Sequence, residues 1–359
     1  MIFNSKLEIN KNLSKLIFIL FILFNSILIP QLHANSFQIK EIEISEDFNL
    51  NFNKKKVFDK AFESAFLQLI SKVLVSEDIN KIEKTKLSTI KSLIDSFIVS
   101  DEKFFENKYY AKFNVNFNKK NTYGYLESKN IFPSIPKKIN ILFIPILIDS
   151  EKNKLVYFGE NLIYKKWNDQ IKKYHLINYI LPTEDIENSE IFNSDIDLIE
   201  EYDFKKVVNK YDLKNYIISI IYQNNKRINI LSKLYLNEKY KIINNNYNDL
   251  NLKNEESVLR FVMHLKKKYE DEWKKLNLIN TSIQVPITIS LSSKEHDKIK
   301  FFEKTLEELD LVSNFIILSF NKKNIFYKII YNGAPSKFFS EINESGLDIK
   351  KKGQIWRIK

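Results

Sequence analysis

The spacing of apolar residues along this chain switches between the helical period of 3.6 and the strand period of 2, and the switches mark out its elements. Phe37, Ile39, Ile42 and Ile44 predict an opening strand. From Lys54 to Val75, Phe58, Phe62, Ala65, Phe66, Leu69 and Val73 recur at helical spacing, and the small Ala61 and Ala65 would let this helix approach a sheet closely. A shorter helix is predicted from Lys84 to Ser96, with Leu87, Ile90 and Ile94 inward. Tyr109, Ala111, Phe113, Val115 and Phe117 then alternate with Lys112, Asn114 and Asn116, the pattern of a half-buried strand. Its expected partner is Phe97–Phe105, with the turn at Glu106–Asn107. The first unit, residues 35–134, therefore reads β-α-α-β-β, a small α+β domain with helices on one face of a sheet.

Pro133 and Pro136 punctuate a boundary, and Ile139–Ile148 is a nearly continuous apolar run, as for a strand buried on both faces. Ile163, Trp167, Ile171 and Tyr174 predict the inner stripe of a helix, and Leu176–Leu181 a second buried strand. Asp197–Tyr211 reads as helix, Tyr216–Tyr222 as a third strand, and Arg227–Leu236 with Lys239–Ile243 as a hairpin. Val258, Phe261, Val262, Leu265, Tyr269 and Leu276 line one side of a long helix. Strands alternating with helices predict an α/β domain over residues 138–280. From residue 283 the pattern changes again. A strand at Val285–Leu291 precedes a helix capped by Ser292 or Ser293, with Ile299, Phe302, Leu306 and Leu309 inward. A hairpin, Phe315–Phe320 and Ile325–Tyr331, turns around Lys322–Asn324. A helix begun by Pro335 and closed by Gly346 leads to a last strand or hairpin at Leu347–Ile358. The order β-α-β-β-α-β of residues 283–359 is the ferredoxin-like plan. The expected fold class is thus α/β and α+β, three small mixed-sheet domains.

The first 34 residues follow a different logic. Lys6, Lys11 and Lys15 precede an apolar run from Leu16 to Phe24 that resumes after Asn25–Ser26, and Ala34 is small enough for a cleavage position. This is the pattern of a secretory signal peptide. The run is short for a membrane span, which needs about 20 residues, though retention as an N-terminal anchor is the alternative reading. The expectation is an exported, periplasmic protein. The chain has no cysteine, so it folds without disulfides and without thiol or cysteine-metal chemistry. Its net charge is +11, yet only Arg227, Arg260 and Arg357 are arginine, and the lysines are scattered among acids. Arginine is the residue of bidentate phosphate and guanine contacts, so no nucleic-acid partner is expected. Weak contact with an anionic membrane or wall polymer fits the charge.

Candidate chemistry is sparse. His175, His264 and His296 show no HExxH or comparable spacing, and they are read as structural or surface residues. Asn193, Asp195 and Asp197 open like a calcium loop. However, Leu198 stands where glycine is needed and Phe204 where a bidentate glutamate is needed, so Glu200, Glu201 and Asp203 are read as a solvated helix start. Ser134 and Lys137 satisfy Ser-x-x-Lys, but between Pro133 and Pro136 and with no KTG partner, which marks a chance match. Glu255–Glu256 and Glu307–Glu308 are adjacent on helices and point to different faces. Trp167, Trp273 and Trp356 lie on or near apolar stripes and are read as core. No catalytic, cofactor-binding or metal-binding residue is singled out, and no cofactor is implied.

Taken together, the exported N-terminus, the Ala61/Ala65 helix and the Tyr109–Phe117 strand resemble a proteobacterial envelope family, the domain of unknown function numbered two thousand and sixty-six. Ile141–Ile148 followed by Trp167 resembles its buried strand and Trp-bearing helix. Lys210–Tyr211 leading into Tyr216–Ile220 resembles its Tyr-Gly-Ala-Asp step, with Asp212 where glycine is usual. Trp273–Lys274, Asn332–Gly333, Gly346–Leu347 and Trp356 also fit. The first two units are similar, more distantly, to domains of a periplasmic flagellar assembly protein, and the middle one to the N-terminal domain of the Tol translocation protein. The resemblance implies fold and brings no catalytic residues. The expected function is non-enzymatic protein binding or scaffolding in the cell envelope, with an envelope protein as partner. The alternative is an envelope hydrolase acting on wall polymer or glycan through carboxylates that the sequence does not identify.

Overall fold

The computed structural model describes residues 37–156, 158–169, 172, 174–185, 196–352 and 355–358. The leader expected at 1–34 and the calcium-loop residues Asn193 and Asp195 lie outside the described residues. The described residues up to Ser282 form one compact unit and those from Ile283 another. Both carry sheets with helices, three sheets in all, so the fold is mixed α/β and α+β.

The first sheet is built from β1 (Gln38–Asp47), β2 (Ile94–Phe105) and β3 (Lys108–Phe117), antiparallel in the order β1-β3-β2. Glu106 and Asn107 both have φ near +50°, the conformation a two-residue hairpin turn requires. Between β1 and β2 run α1 (Lys54–Val73), α2 (Ser76–Ile82) and α3 (Leu87–Leu93), and α4 (Lys119–Glu127) follows β3. The predicted β-α-α-β-β order is therefore corrected. Thr85 folds back on the Ile82 carbonyl between α2 and α3, and Ile94, expected on a helix, opens β2. Asn53 caps α1 by accepting from Lys55 N–H. Ala61 and Ala65 are fully buried on it, and Phe58 meets Phe97 and Phe113 edge-on or tilted.

The second sheet centres on β4 (Ile139–Asp149), whose residues 141–148 are all buried, and Pro145 among them has no N–H to give to a ladder. Parallel β6 (Ile177–Ile180) pairs with residues 139–142, and antiparallel β5 (Lys154–Val156) with residues 147–149. Pro145 sits in the gap between them, and its carbonyl accepts from Asn161 Nδ2 at 3.2 Å. The Oδ1 of the same Asn161 takes the N–H groups of Ile163 and Tyr164 and so caps α5 (Leu162–Lys166). On the other edge of β4 lie parallel β7 (Tyr216–Asn224), then antiparallel β8 (Arg227–Leu236) and β9 (Lys239–Tyr247). Ile141, Phe143 and Leu147 face one core with Trp167, the residue that follows α5, and the long α7 (Glu255–Leu276). Leu142, Ile144, Ile146 and Ile148 face the other, with Phe204, Val207 and Val208 around α6 (Lys205–Lys210). Two helix predictions are corrected here. The helix expected through Tyr174 ends at Lys166, and Ile171 lies outside the described residues. The helix expected over Asp197–Tyr211 is a single 3-10 turn at Ile196–Leu198 and then the short α6. Asp212, directly after α6, has φ +48°, a left-handed position that favours glycine.

The unit from Ile283 has β10 (Val285–Ser292), α8 (His296–Glu308), β11 (Val312–Phe320), β12 (Asn324–Tyr331), α9 (Pro335–Glu344), β13 (Ile349–Lys352) and β14 (Ile355–Ile358). The sheet order is β11-β12-β10-β14-β13. The predicted β-α-β-β-α order is present, and the closing element is the hairpin β13–β14, whose second strand lies parallel to β10 where the last strand of a ferredoxin-like sheet runs antiparallel to the first. Ser292 and Ser293 do not cap α8, which starts after Glu295 with no side-chain cap. Two inward tyrosines of β12 fasten the helices. Tyr327 donates to Glu303 of α8 (2.6 Å), and Tyr331 to Glu341 of α9 (2.7 Å). Gly346, at φ +92°, ends α9 in a left-handed turn in which Leu347 N–H returns to the Ile342 carbonyl.

Candidate functional site

The expected stripe of α7 is present. Val258, Phe261, Val262, Leu265 and Tyr269 are buried, and Leu276 is partly so. Beside the stripe, Lys266, Glu270 and Lys274 are buried as well, each no more than 5% exposed. Their spacing of four residues puts them on one line along the helix. Glu270 accepts the N–H groups of Leu176 and Ile177 at 2.9–3.2 Å, which fixes the start of β6. Burial pushes its carboxyl above the usual carboxylate range, against those bonds and Lys274, which favour the charged form. Lys274 Nζ donates to the carbonyls of Ser71 (2.5 Å) and Leu74 (2.9 Å) at the end of α1. Next to it, Asp271 accepts from the N–H (2.8 Å) and hydroxyl (3.0 Å) of Ser76, the first residue of α2. Trp273 Nε1 donates to the Lys137 carbonyl at 2.7 Å. One helix thus ties the first sheet's helices to the second sheet. Deeper in, Tyr269 shares hydrogen bonds with the buried hydroxyls of Ser219 (2.6 Å) and Ser232 (2.8 Å).

Lys266 borders a cleft of about 500 Å³ at the amino-terminal ends of β4 and β6. Its ammonium lies 5.6 Å from the ring centre of Trp167 and 5.5 Å from that of Tyr179. Burial lowers its pKa to about 8, although Glu270 and Asp169 pull the other way. His175 stands on the rim. Burial first, then Lys266, Lys274 and Lys172, lower its pKa to about 4, so its imidazole is neutral at neutral pH. A second hollow, about 390 Å³, opens at the carboxyl ends of β4 and β7 beside Ser150, Glu200, Glu201 and Tyr222. There the Tyr222 hydroxyl donates to Glu200 at 2.6 Å.

His264 is exposed and edge-on to Tyr247, and His296 is exposed at the start of α8. Among the described residues no group of three His, Asp or Glu side chains is arranged to hold a metal. Ser134 is buried, and its hydroxyl donates to the Val73 carbonyl at 2.8 Å, a third bond to the end of α1. Glu256 pairs with Arg260 and Glu255 with Lys166, while Glu308 lies 3.8 Å from Lys304. Trp167 stacks on Phe143 in the core, Trp273 is buried on α7, and Trp356 packs on Phe339. The apolar stripe of α7 gave no hint of the buried Lys266, Glu270 and Lys274, because a lysine-rich helix reads as a solvated face.

β11 is an edge strand, and its residues 312–320 carry no charge. Ile316, Ile317, Leu318 and Phe320 are each at least half exposed. The opposite edge, β13, carries Lys350 and Lys351. No helix among the described residues is long and apolar enough to cross a membrane. No protein-family model matches this chain, and neither does any curated protein.

Proposed function

We propose that this chain is a non-enzymatic protein-binding factor of the cell envelope, and that it takes an extended segment of a partner protein as an added strand on β11. The observation that carries the reading is the bare, apolar edge of β11. Sheet edges normally bear lysine, proline or a cover, because an open row of N–H and C=O groups pairs with any strand that meets it. An uncharged edge with exposed Ile316 and Leu318 offers backbone hydrogen bonds plus side-chain contacts to such a segment. The envelope location rests on the leader pattern at 1–34 and on the resemblance to an exported family, whose fold the alternation of strands and helices suits.

The test is site-specific photo-crosslinking from position 317 of the full chain in intact envelopes, with mass-spectrometric identification, alongside an Ile317→Lys variant. A single recurrent partner, crosslinked through an extended segment and lost in the variant with circular dichroism unchanged, is the expected result. A second copy of this chain at the crosslink, or no partner at all, overturns it.

A further inference from the structure

We propose that the cleft at the amino-terminal ends of β4 and β6 binds a small polyhydroxylated anion, a sugar acid or a sugar phosphate. This is independent of the β11 reading and uses other residues. The cleft has the size of a small-molecule site. Its lining explains the ligand class. Lys138, Lys172 and Lys266 contribute positive charge, and among the described residues no carboxylate lines it. His175, neutral at physiological pH, adds a hydrogen-bonding imidazole to the rim and no further charge.

Three carboxamides complete the wall, Asn140, Asn168 and Asn178. Asn178 Nδ2 donates to Asn140 Oδ1 at 3.0 Å, which leaves an amide donor on Asn140 and an amide acceptor on Asn178 directed to other groups. A hydroxyl both donates and accepts, so paired amides suit a polyol better than an apolar ligand. At the back, Lys266 is 2% exposed, held against the faces of Trp167 and Tyr179. Around it the Tyr179 hydroxyl and the Trp167 indole N–H are buried with no hydrogen-bond partner among the described residues. Buried polar atoms are nearly always satisfied, so the orphaned hydroxyl of Tyr179, a residue that lines the cleft, marks hydrogen-bonding capacity left over beside the buried ammonium. A compact ammonium at the closed end and amides at the open end would orient a ligand with its acid inward and its hydroxyls toward the rim.

The experiment is isothermal titration calorimetry of the full chain at neutral pH with glucuronate, glucose 6-phosphate, glucose and inorganic phosphate. Saturable binding of glucuronate or glucose 6-phosphate tighter than about 1 mM, with glucose silent, is expected. Whichever acid binds better identifies carboxylate or phosphate as the natural head group. Lys266→Met should weaken that binding at least about tenfold, the size of a lost charge-assisted contact. If Lys266→Met does not fold, the rim variant Lys138→Ala/Lys172→Ala, both exposed positions, should still weaken it about threefold or more through the lost field. Inorganic phosphate binding as tightly as glucose 6-phosphate would mean an adventitious ion only and would overturn the proposal. So would silence from both acids, or binding that neither variant changes.

Discussion

Replacing Lys274 by methionine isolates the join between the first sheet's helices and α7. Methionine keeps most of the aliphatic stem and removes the ammonium. Two carbonyls at the buried end of α1, those of Ser71 and Leu74, lose their donor. Each hydrogen bond to a charged group contributes about 1.5–3 kcal/mol, so the gross loss is about 3–6 kcal/mol. Part of this returns, because burial already holds the Lys274 pKa below its usual value and the variant no longer desolvates an ammonium. The attraction of Glu270 and Asp271 to that ammonium also disappears. The expected net cost is about 2–4 kcal/mol, which at a urea m-value of about 2 kcal/mol/M lowers the midpoint by about 1–2 M. The assay is equilibrium urea unfolding at pH 7 by tryptophan fluorescence in a Trp356→Phe background. Trp167 and Trp273 then report only the unit that ends at Ser282. Lys267→Met, on the exposed side of the same helix, is the control and should leave the midpoint in place. A Lys274→Met midpoint within about 0.3 M of the parent, under about 0.6 kcal/mol, would refute the reasoning, since the two carbonyls would then be equally well served by water.

Three further expectations are open to direct measurement. His175 should remain neutral down to about pH 4 in two-dimensional NMR. Its folded pKa lies below the unfolded value, so its contribution to stability is present above about 6.5 and fades as pH falls toward 4. A midpoint near 6.5 in the folded protein would contradict its burial. Tyr269→Phe leaves the Ser219 and Ser232 hydroxyls with only their mutual 3.3 Å contact and should cost about 1–3 kcal/mol by urea unfolding. A neutral result would show that the buried triad is relieved by repacking. Asp212→Gly removes a left-handed strain of about 1–2 kcal/mol against a glycine entropy cost of about 0.5–1. A small gain in stability is expected, and a loss would mean that the aspartate side chain matters more than its backbone.

Where period and chemistry agreed, the sequence was readable. The nearly continuous apolar run 139–148 read as a strand covered on both sides, and Asn107 after Glu106 marked a tight hairpin turn. The β-α-β-β-α order from Val285 emerged because each of those elements has its own punctuation, ending at Gly346, whereas nothing in the pattern told that the closing hairpin would set β14 parallel to β10. Helix lengths were less legible. Ile94 sits at helical spacing after Ile90, yet its side chain serves β2 just as well, and periodicity cannot decide between them. Trp167 and Tyr174 share an apolar face in a helical projection, but the chain leaves the helix after Lys166. The site was hidden for a different reason. In the run from Lys266 to Lys275 nearly every residue is charged, so the inward members do not stand out from the outward ones. The exposed edge of β11 also needed the fold. Its residues read as an ordinary strand until the parallel pairing of β10 with β14 leaves β11 at the margin.

The clasp between α1 and α7 has a consequence in time. Leu74 and Lys274 are 200 positions apart. A ribosome adding about 5–20 residues per second needs about 10–40 s to go from one to the other. Throughout that interval the Ser71 and Leu74 carbonyls at the end of α1 lack the ammonium that will serve them, although Phe58 on the same helix already has Phe97 and Phe113 of the first sheet to pack against. The join between the amino-terminal sheet's helices and α7 is therefore among the last parts of this unit to be secured.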